Sequence, residues 1–201
     1  MVLILLQQIF GSAIKAQEII YLLADVKEVV RQGFYPRELL EVEQFCQKNN
    51  LFLVKSKFKV LLADELTNGQ KYSNKGVRLP ETDELGLYFV YISKSEEKAL
   101  LASYYELLND HRQLGLLLGY PECCIQYFLE KFHEQYTNLE LLPTNPYTNL
   151  SMRNQDLVLI SHFPCSSNCQ PSKMMGHKFL QVLEKYDSDY ARQLLQRLSL
   201  K

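Results

Sequence analysis

Leu118-Gly119-Tyr120-Pro121-Glu122-Cys123-Cys124 is the stretch on which the reading of this chain turns. A glycine after an apolar run ends a helix in the left-handed conformation. A proline two residues later suits the first turn of the next helix. The stretch therefore predicts one helix through residues 114–118 and another from Pro121 to about His133. Ile125, Phe128, Leu129 and Phe132 give the second helix an apolar face at i, i+3, i+4 and i+7. Cys123 and Cys124 then lie in its first turn. Free backbone N–H groups and the helix dipole favour a thiolate there, while the carboxylate of Glu122 opposes one. Neighbours on a helix point about 100° apart. Cys124 leans toward the core face beside Ile125 and Phe128, and Cys123 shares a side with Tyr127 and Glu130.

A second segment, His162-Phe163-Pro164-Cys165-Ser166-Ser167-Asn168-Cys169-Gln170-Pro171, repeats the arrangement. Ser166 or Asn168 can cap a helix, and Pro171 fits its first turn. Cys165 and Cys169 are four residues apart, so a helical turn would put them on the same face, and with an irregular turn they can still converge through the loop. His162 is a further ligand or a proton donor. Two cysteine-bearing helix starts, far apart in sequence, are an economical way to close one four-ligand site. The set Cys123, Cys124, Cys165 and Cys169, with His162 beside it, fits a cubane 4Fe-4S cluster held by thiolates, which is the first reading. Zinc bound by three cysteines and a histidine is the alternative. The spacing is not that of a paired Cys-X-X-Cys ribbon, which places zinc second. A thiol redox enzyme is the third reading, with Cys123 or Cys124 attacking and Cys165 or Cys169 resolving. The Cys-X-X-X-Cys-X-X-Cys motif of radical enzymes is incomplete, because position 172 is serine.

The segments Gly-Tyr-Pro-Glu-Cys-Cys and His-Phe-Pro-Cys-Ser-Ser-Asn-Cys resemble the two signature motifs of an uncharacterised archaeal and bacterial family, a domain of unknown function. The resemblance covers about residues 91–180. It implies that Cys123, Cys124, His162, Cys165 and Cys169 belong together, and it supplies no reaction or substrate.

The remaining composition narrows the classes. A chain of 201 residues can bury a core without staples and is read as a single domain, 1–201, with helices and a small sheet in 1–92 and a helical cysteine-bearing half in 93–201. Five cysteines, an odd count, speak against a disulfide framework. A net charge of -1 gives no electrostatic footprint for nucleic acid. The apolar run Val2 to Leu6 is too short for a signal peptide or a membrane span, so the expected setting is cytoplasmic, with no membrane partner. No phosphate-binding glycine loop and no serine-hydrolase elbow is present. A small-molecule or protein redox partner is expected, of unspecified identity.

Periodicity supplies the rest of the plan. Helices are expected over residues 18–31, with Gly33 as the stop, and over 36–48, ended by Asn49-Asn50. Short strands are expected at 51–54, 58–62 and 85–92, with a turn at Asn68-Gly69 inside the polar stretch 67–75. Ser93 and Glu96 form a capping-box pattern for a helix beginning near Lys94, with Ala99, Leu100, Tyr104, Leu107 and Leu108 on one face. A loop follows at 137–153, then an apolar segment at 157–160. Last come helices at 171–186, with Met175, Phe179, Val182, Leu183 and Tyr186 inward, and at 189–198. The fold class is α+β: a small antiparallel sheet in the middle of the chain flanked by helices, with a helical C-terminal half. Cys46 reads as core packing beside Leu39, Val42 and Phe45. His111, His133 and His177 read as surface residues. Asn145, Asn149 and Asn154 are turn formers that could also line a pocket.

Overall fold

The computed structural model describes residues 2–62 and 76–199, so the turn expected at 67–75 lies outside the described residues. In chain order the elements are α1 (Val2–Phe10), α2 (Ala13–Leu23), β1 (Val29–Phe34), α3 (Leu39–Lys48), β2 (Phe52–Leu62), β3 (Gly76–Pro80), β4 (Leu87–Ser93), α4 (Glu96–Leu107), α5 (His111–Leu117), α6 (Glu122–Lys131), α7 (Gln170–Tyr186) and α8 (Ser188–Ser199). The chain is α+β, with a four-stranded antiparallel sheet in mid-chain and a helical C-terminal half. It forms two compact units, Met1–Lys27 with Tyr120–Lys201, and Glu28–Gly119.

The unit of residues 28–119 holds the sheet, ordered β1-β4-β2-β3 with every pairing antiparallel. Central β4 buries Leu87, Val90, Tyr91 and Ile92, as a strand covered on both faces should. Val29 and Val30, read from periodicity as the end of a helix, belong instead to β1 and pair with Ser93 and Ile92. Helix α2 ends earlier, at Leu23, and Asp25 turns the chain at a φ of 58°. Two adjacent β-branched residues satisfy a helical spacing as well as a doubly buried strand, so the pattern was ambiguous there. Gly33 stops no helix. It pairs with Phe89, and the Leu87 side chain lies 2.9 Å from where its Cβ would stand.

The two strands expected at 51–54 and 58–62 are one strand, β2, with a register irregularity between Lys55 and Lys59. Ser56 fills the irregularity. Its buried hydroxyl donates to Phe58 O (2.5 Å) and accepts from Phe89 N (3.1 Å). Helix α4 is capped by Ser95, whose hydroxyl accepts from Lys98 N at 3.4 Å, while Ser93 Oγ donates to Glu28 O at 2.7 Å. The inward residues of α4 are Ala99, Ala102 and Glu106. Leu100, Tyr104, Leu107 and Leu108 are exposed instead. Small alanines let the helix approach the sheet, and Arg31 of β1 and Arg78 of β3 close on the buried Glu106 carboxylate.

The other unit packs five helices. The rings of Tyr21 in α2 and Phe179 in α7 stack at 4.1 Å between centroids. Asp156 lies at the N-terminus of α2, where its carboxylate accepts from Ser12 Oγ (2.6 Å), Ile14 N (3.2 Å) and Ala13 N. A carboxylate at that position satisfies free helix N–H groups and complements the dipole. Helix α7 turns Ser172, Gly176, Phe179, Leu180, Val182 and Leu183 inward, leaving Tyr186 exposed. The 137–153 loop is not open chain. It buries Leu139, Thr148, Asn149, Leu150 and Met152 and contains a short 3-10 turn at Pro146–Thr148.

That turn touches α7 at Gly176, where an added Cβ would stand 2.8 Å from Tyr147 O. Backbone cannot swing aside as a side chain can. Gly176→Ala is therefore expected to cost about 1–3 kcal/mol, read as a lowered melting temperature. An unchanged melting temperature would show that the turn yields freely.

Candidate metal centre

Gly119 adopts a φ of +76°, and Pro121, at φ -60°, precedes the first residue of α6. Cys124 N donates to Pro121 O at 2.9 Å, which sets both cysteines in the first turn. Cys169 sits at the cap position of α7, and its backbone N donates to Ser166 O at 3.0 Å, closing a tight turn over residues 166–169. Cys165 precedes that turn.

These elements bring four sulfurs together. The Sγ atoms of Cys123, Cys124, Cys165 and Cys169 all lie within 4.8 Å of one another. Three of the separations are 3.9 Å (Cys123 to Cys124), 3.7 Å (Cys123 to Cys169) and 3.6 Å (Cys124 to Cys169). Both members of the adjacent pair thus reach the cluster. Cys124 and Cys169 are buried, Cys165 is half-buried and Cys123 is exposed. All four are free thiols. Such a group can bind a metal ion.

His162 is not a member of that group. It is buried, and its Nε2 lies 2.8 Å from Ser172 Oγ, which in turn lies 3.2 Å from Cys124 Sγ. Ser172 is fully buried in the first turn of α7. Its hydroxyl links the histidine to the cysteine. Among the described residues, His162 Nδ1 is buried without a hydrogen-bond partner. Behind the ring lie Tyr120, with centroids 5.0 Å apart, and a buried ion pair of Lys27 Nζ and Glu18 Oε1 at 2.7 Å. Ser161 Oγ donates to the same Glu18 oxygen at 2.7 Å.

The electrostatics follow from this layout. Burial, then the positive charge of Lys27, hold His162 down at about 3, so the ring is neutral at physiological pH. Burial opposes the charge on Lys27, but Glu18 and Tyr120 together more than offset it and raise the lysine. Burial pushes Cys124 well up, only partly offset by hydrogen bonds from Ser172 and from Cys165 N (3.4 Å). Burial and the thiols of Cys169 and Cys123 raise Cys165 to about 11. At Cys169 burial acts upward too, but hydrogen bonding from Ser172 and from the Cys124 and Cys165 thiols together outweighs it and brings the thiol down to about 7.

The asparagine-rich loop straps the second cysteine segment. Asn145 Nδ2 and Thr148 Oγ1 both donate to Ser167 O, at 2.5 Å and 2.6 Å. Asn145 Oδ1 also accepts from Tyr147 N (3.0 Å) and Thr148 N (3.3 Å). Asn149 holds α8 instead, donating to Leu198 O at 2.7 Å. His177 is exposed and stacks on Tyr147 at 3.6 Å, and Cys46 is buried in the sheet unit. Sequence reasoning missed Ser172. Its signal was its place three residues after Cys169, one helical turn on.

A family model described as a protein of unknown function (DUF483) matches residues 98–198, just over half of the chain. The chain belongs to this family. The matched stretch includes all four clustered cysteines, His162, Ser172 and the Asn145 strap. No curated protein and no solved structure matches the chain. Among the described residues, no helix is long and apolar enough to cross a membrane.

With any metal removed, ultraviolet thiolate absorbance should include a first stage of about one thiolate near pH 7, below the range of an ordinary cysteine, while the thiols of Cys124 and Cys165 should ionise above that range. Cys169→Ser should remove the first stage, because that thiol is the one lowered. All thiols rising together in the alkaline range would contradict the assignment.

Proposed function

We propose that Cys123, Cys124, Cys165 and Cys169 hold one metal ion in a tetrahedral all-thiolate site, and that the ion is zinc in a structural role. The observation that carries this reading is that all four sulfurs lie within 4.8 Å of one another, with Cys123, Cys124 and Cys169 separated by 3.6–3.9 Å. Four sulfurs at about 2.3 Å from one ion stand about 3.8 Å apart along each tetrahedral edge. In a cubane the four cysteine sulfurs sit on different irons, roughly 6 Å apart. The spacing thus favours one ion over the 4Fe-4S cluster expected first from the sequence, whose binding would require the sulfurs to spread.

Four protein ligands also fill the coordination sphere, the mark of a structural rather than a catalytic zinc site. In this reading His162 does not coordinate. It donates from Nε2 to Ser172, and Ser172 donates to the Cys124 sulfur. Outer hydrogen bonds of this kind orient a ligand and tune the metal–thiolate bond. The ion ties the start of α6 to the start of α7, and its binding energy then becomes folding energy for that unit.

Metal analysis of anaerobically purified protein tests the proposal. The expected result is a colourless protein with about one zinc per chain. Cobalt should replace the zinc and give intense tetrahedral-thiolate absorption, and chelation should lower the melting temperature. A brown preparation holding iron and acid-labile sulfide would restore the cluster reading, and a single iron without sulfide would keep the geometry and change the ion.

A further inference from the structure

We infer that Cys123 is a modification site: the point at which two-electron oxidants and soft electrophiles attack the metal–thiolate centre, with a disulfide to Cys169 ejecting the ion. The inference rests on the single-ion reading above and adds a chemical asymmetry among the four sulfurs.

The asymmetry lies in hydrogen bonding and access. A metal thiolate keeps nucleophilic character in its remaining lone pairs, and N–H or O–H donors to the sulfur reduce it. Cys124 accepts from Cys165 N at 3.4 Å and from Ser172 Oγ at 3.2 Å, and it is 2% exposed. Cys169 is 6% exposed. Cys123 is exposed, and the hydrogen-bond neighbours of its sulfur among the described residues are the cysteine sulfurs themselves. The sulfur of Cys165 likewise has only cysteine sulfurs as hydrogen-bond neighbours among the described residues, but Cys165 is half-buried, so Cys123 is the one cysteine of the four that is both exposed and free of N–H and O–H donors.

The partner follows from backbone geometry. Cys123 and Cys124 are adjacent in a helix, and no cis peptide bond occurs among the described residues. Adjacent Cα atoms across a trans peptide are about 3.8 Å apart, inside the lower limit of about 4.4 Å for an ordinary disulfide. A bond between them would strain the first turn of α6. Cys169 is free of that restriction, and its sulfur is 3.7 Å from that of Cys123. With hydrogen peroxide as oxidant, the Cys123 thiolate attacks one peroxide oxygen, the O–O bond breaks, and a sulfenic acid and hydroxide form. The Cys169 thiolate then attacks the Cys123 sulfur, the S–O bond breaks, and a second hydroxide leaves. The two sulfurs give up two electrons, the peroxide takes them, and two protons from solvent complete two waters. Two ligands are lost together, which leaves the ion with half its sphere.

The test uses the full-length metal-loaded protein. Substoichiometric N-ethylmaleimide is followed by peptide mapping, and a parallel sample receives hydrogen peroxide with zinc release followed by a chromogenic chelator. Cys123 should carry most of the first adduct, zinc should leave in step with the oxidation, and the oxidised protein should show a Cys123–Cys169 linkage that a thiol reductant reverses. A Ser172→Ala variant, which keeps all four ligands, should raise labelling of Cys124 at least several-fold while leaving Cys123 first. First labelling at Cys124, Cys165 or Cys169, a different disulfide, or oxidation of Cys123 with zinc retained would overturn the inference and leave the metal site standing. Protein that takes up no zinc would overturn both.

Discussion

Four cysteine sulfurs within 4.8 Å of one another are a constraint that the surrounding structure has to answer. As thiols they offer weak hydrogen bonds and little packing value. As thiolates they are like charges at close range and repel one another strongly. In the proposed reading one cation resolves the arrangement, by taking the place of the thiol protons. The contrast among three of the sulfurs fits that picture: hydrogen bonding from Ser172 and neighbouring thiols lowers Cys169 against its burial, while burial raises Cys124 and Cys165. An ion can thus be captured first by an available thiolate and can displace the remaining protons as the sphere closes.

Everything near the centre serves to hold two backbone segments at that separation. Pro121 and Gly119 fix the entry to α6. The 166–169 turn fixes Cys165 against Cys169, and Asn145 and Thr148 clamp that turn through Ser167 O. Ser172 joins Cys124 to a neutral His162, which is packed against Tyr120 and kept neutral by burial and by Lys27. The Lys27–Glu18 pair is itself buried, so it contributes local order more than net stability. The side-chain contacts among these fall in one compact unit, built from the first 27 residues and the stretch from Tyr120 onward.

The cysteine cluster was legible from sequence because helix punctuation is local. A glycine stop and a proline start each act within one turn, whereas Cys165 and Cys169 converge through the non-helical turn before α7 rather than on one helical face. The sheet was legible in kind, since 85–92 and 58–62 are rich in β-branched and aromatic residues. The reading failed where one pattern satisfies two periods. Val29 and Val30 fit a helical stripe, yet tertiary pairing with β4 claims them. On α4 the large residues drew the eye, while the small Ala99 and Ala102 set the packing. The choice between a cluster and a single ion was beyond sequence altogether, because it turns on sulfur separations that no residue pattern encodes. Ser172 and the Asn145 strap were invisible for the same reason, being hydrogen-bond partners across tens of residues.

X-ray absorption at the metal edge of the purified protein measures the quantity on which the account depends. A single shell of about four sulfurs at about 2.3 Å, with no metal–metal scattering, is the result that one tetrahedral ion requires. A resolved metal–metal shell, or a first shell containing nitrogen from His162, would contradict it.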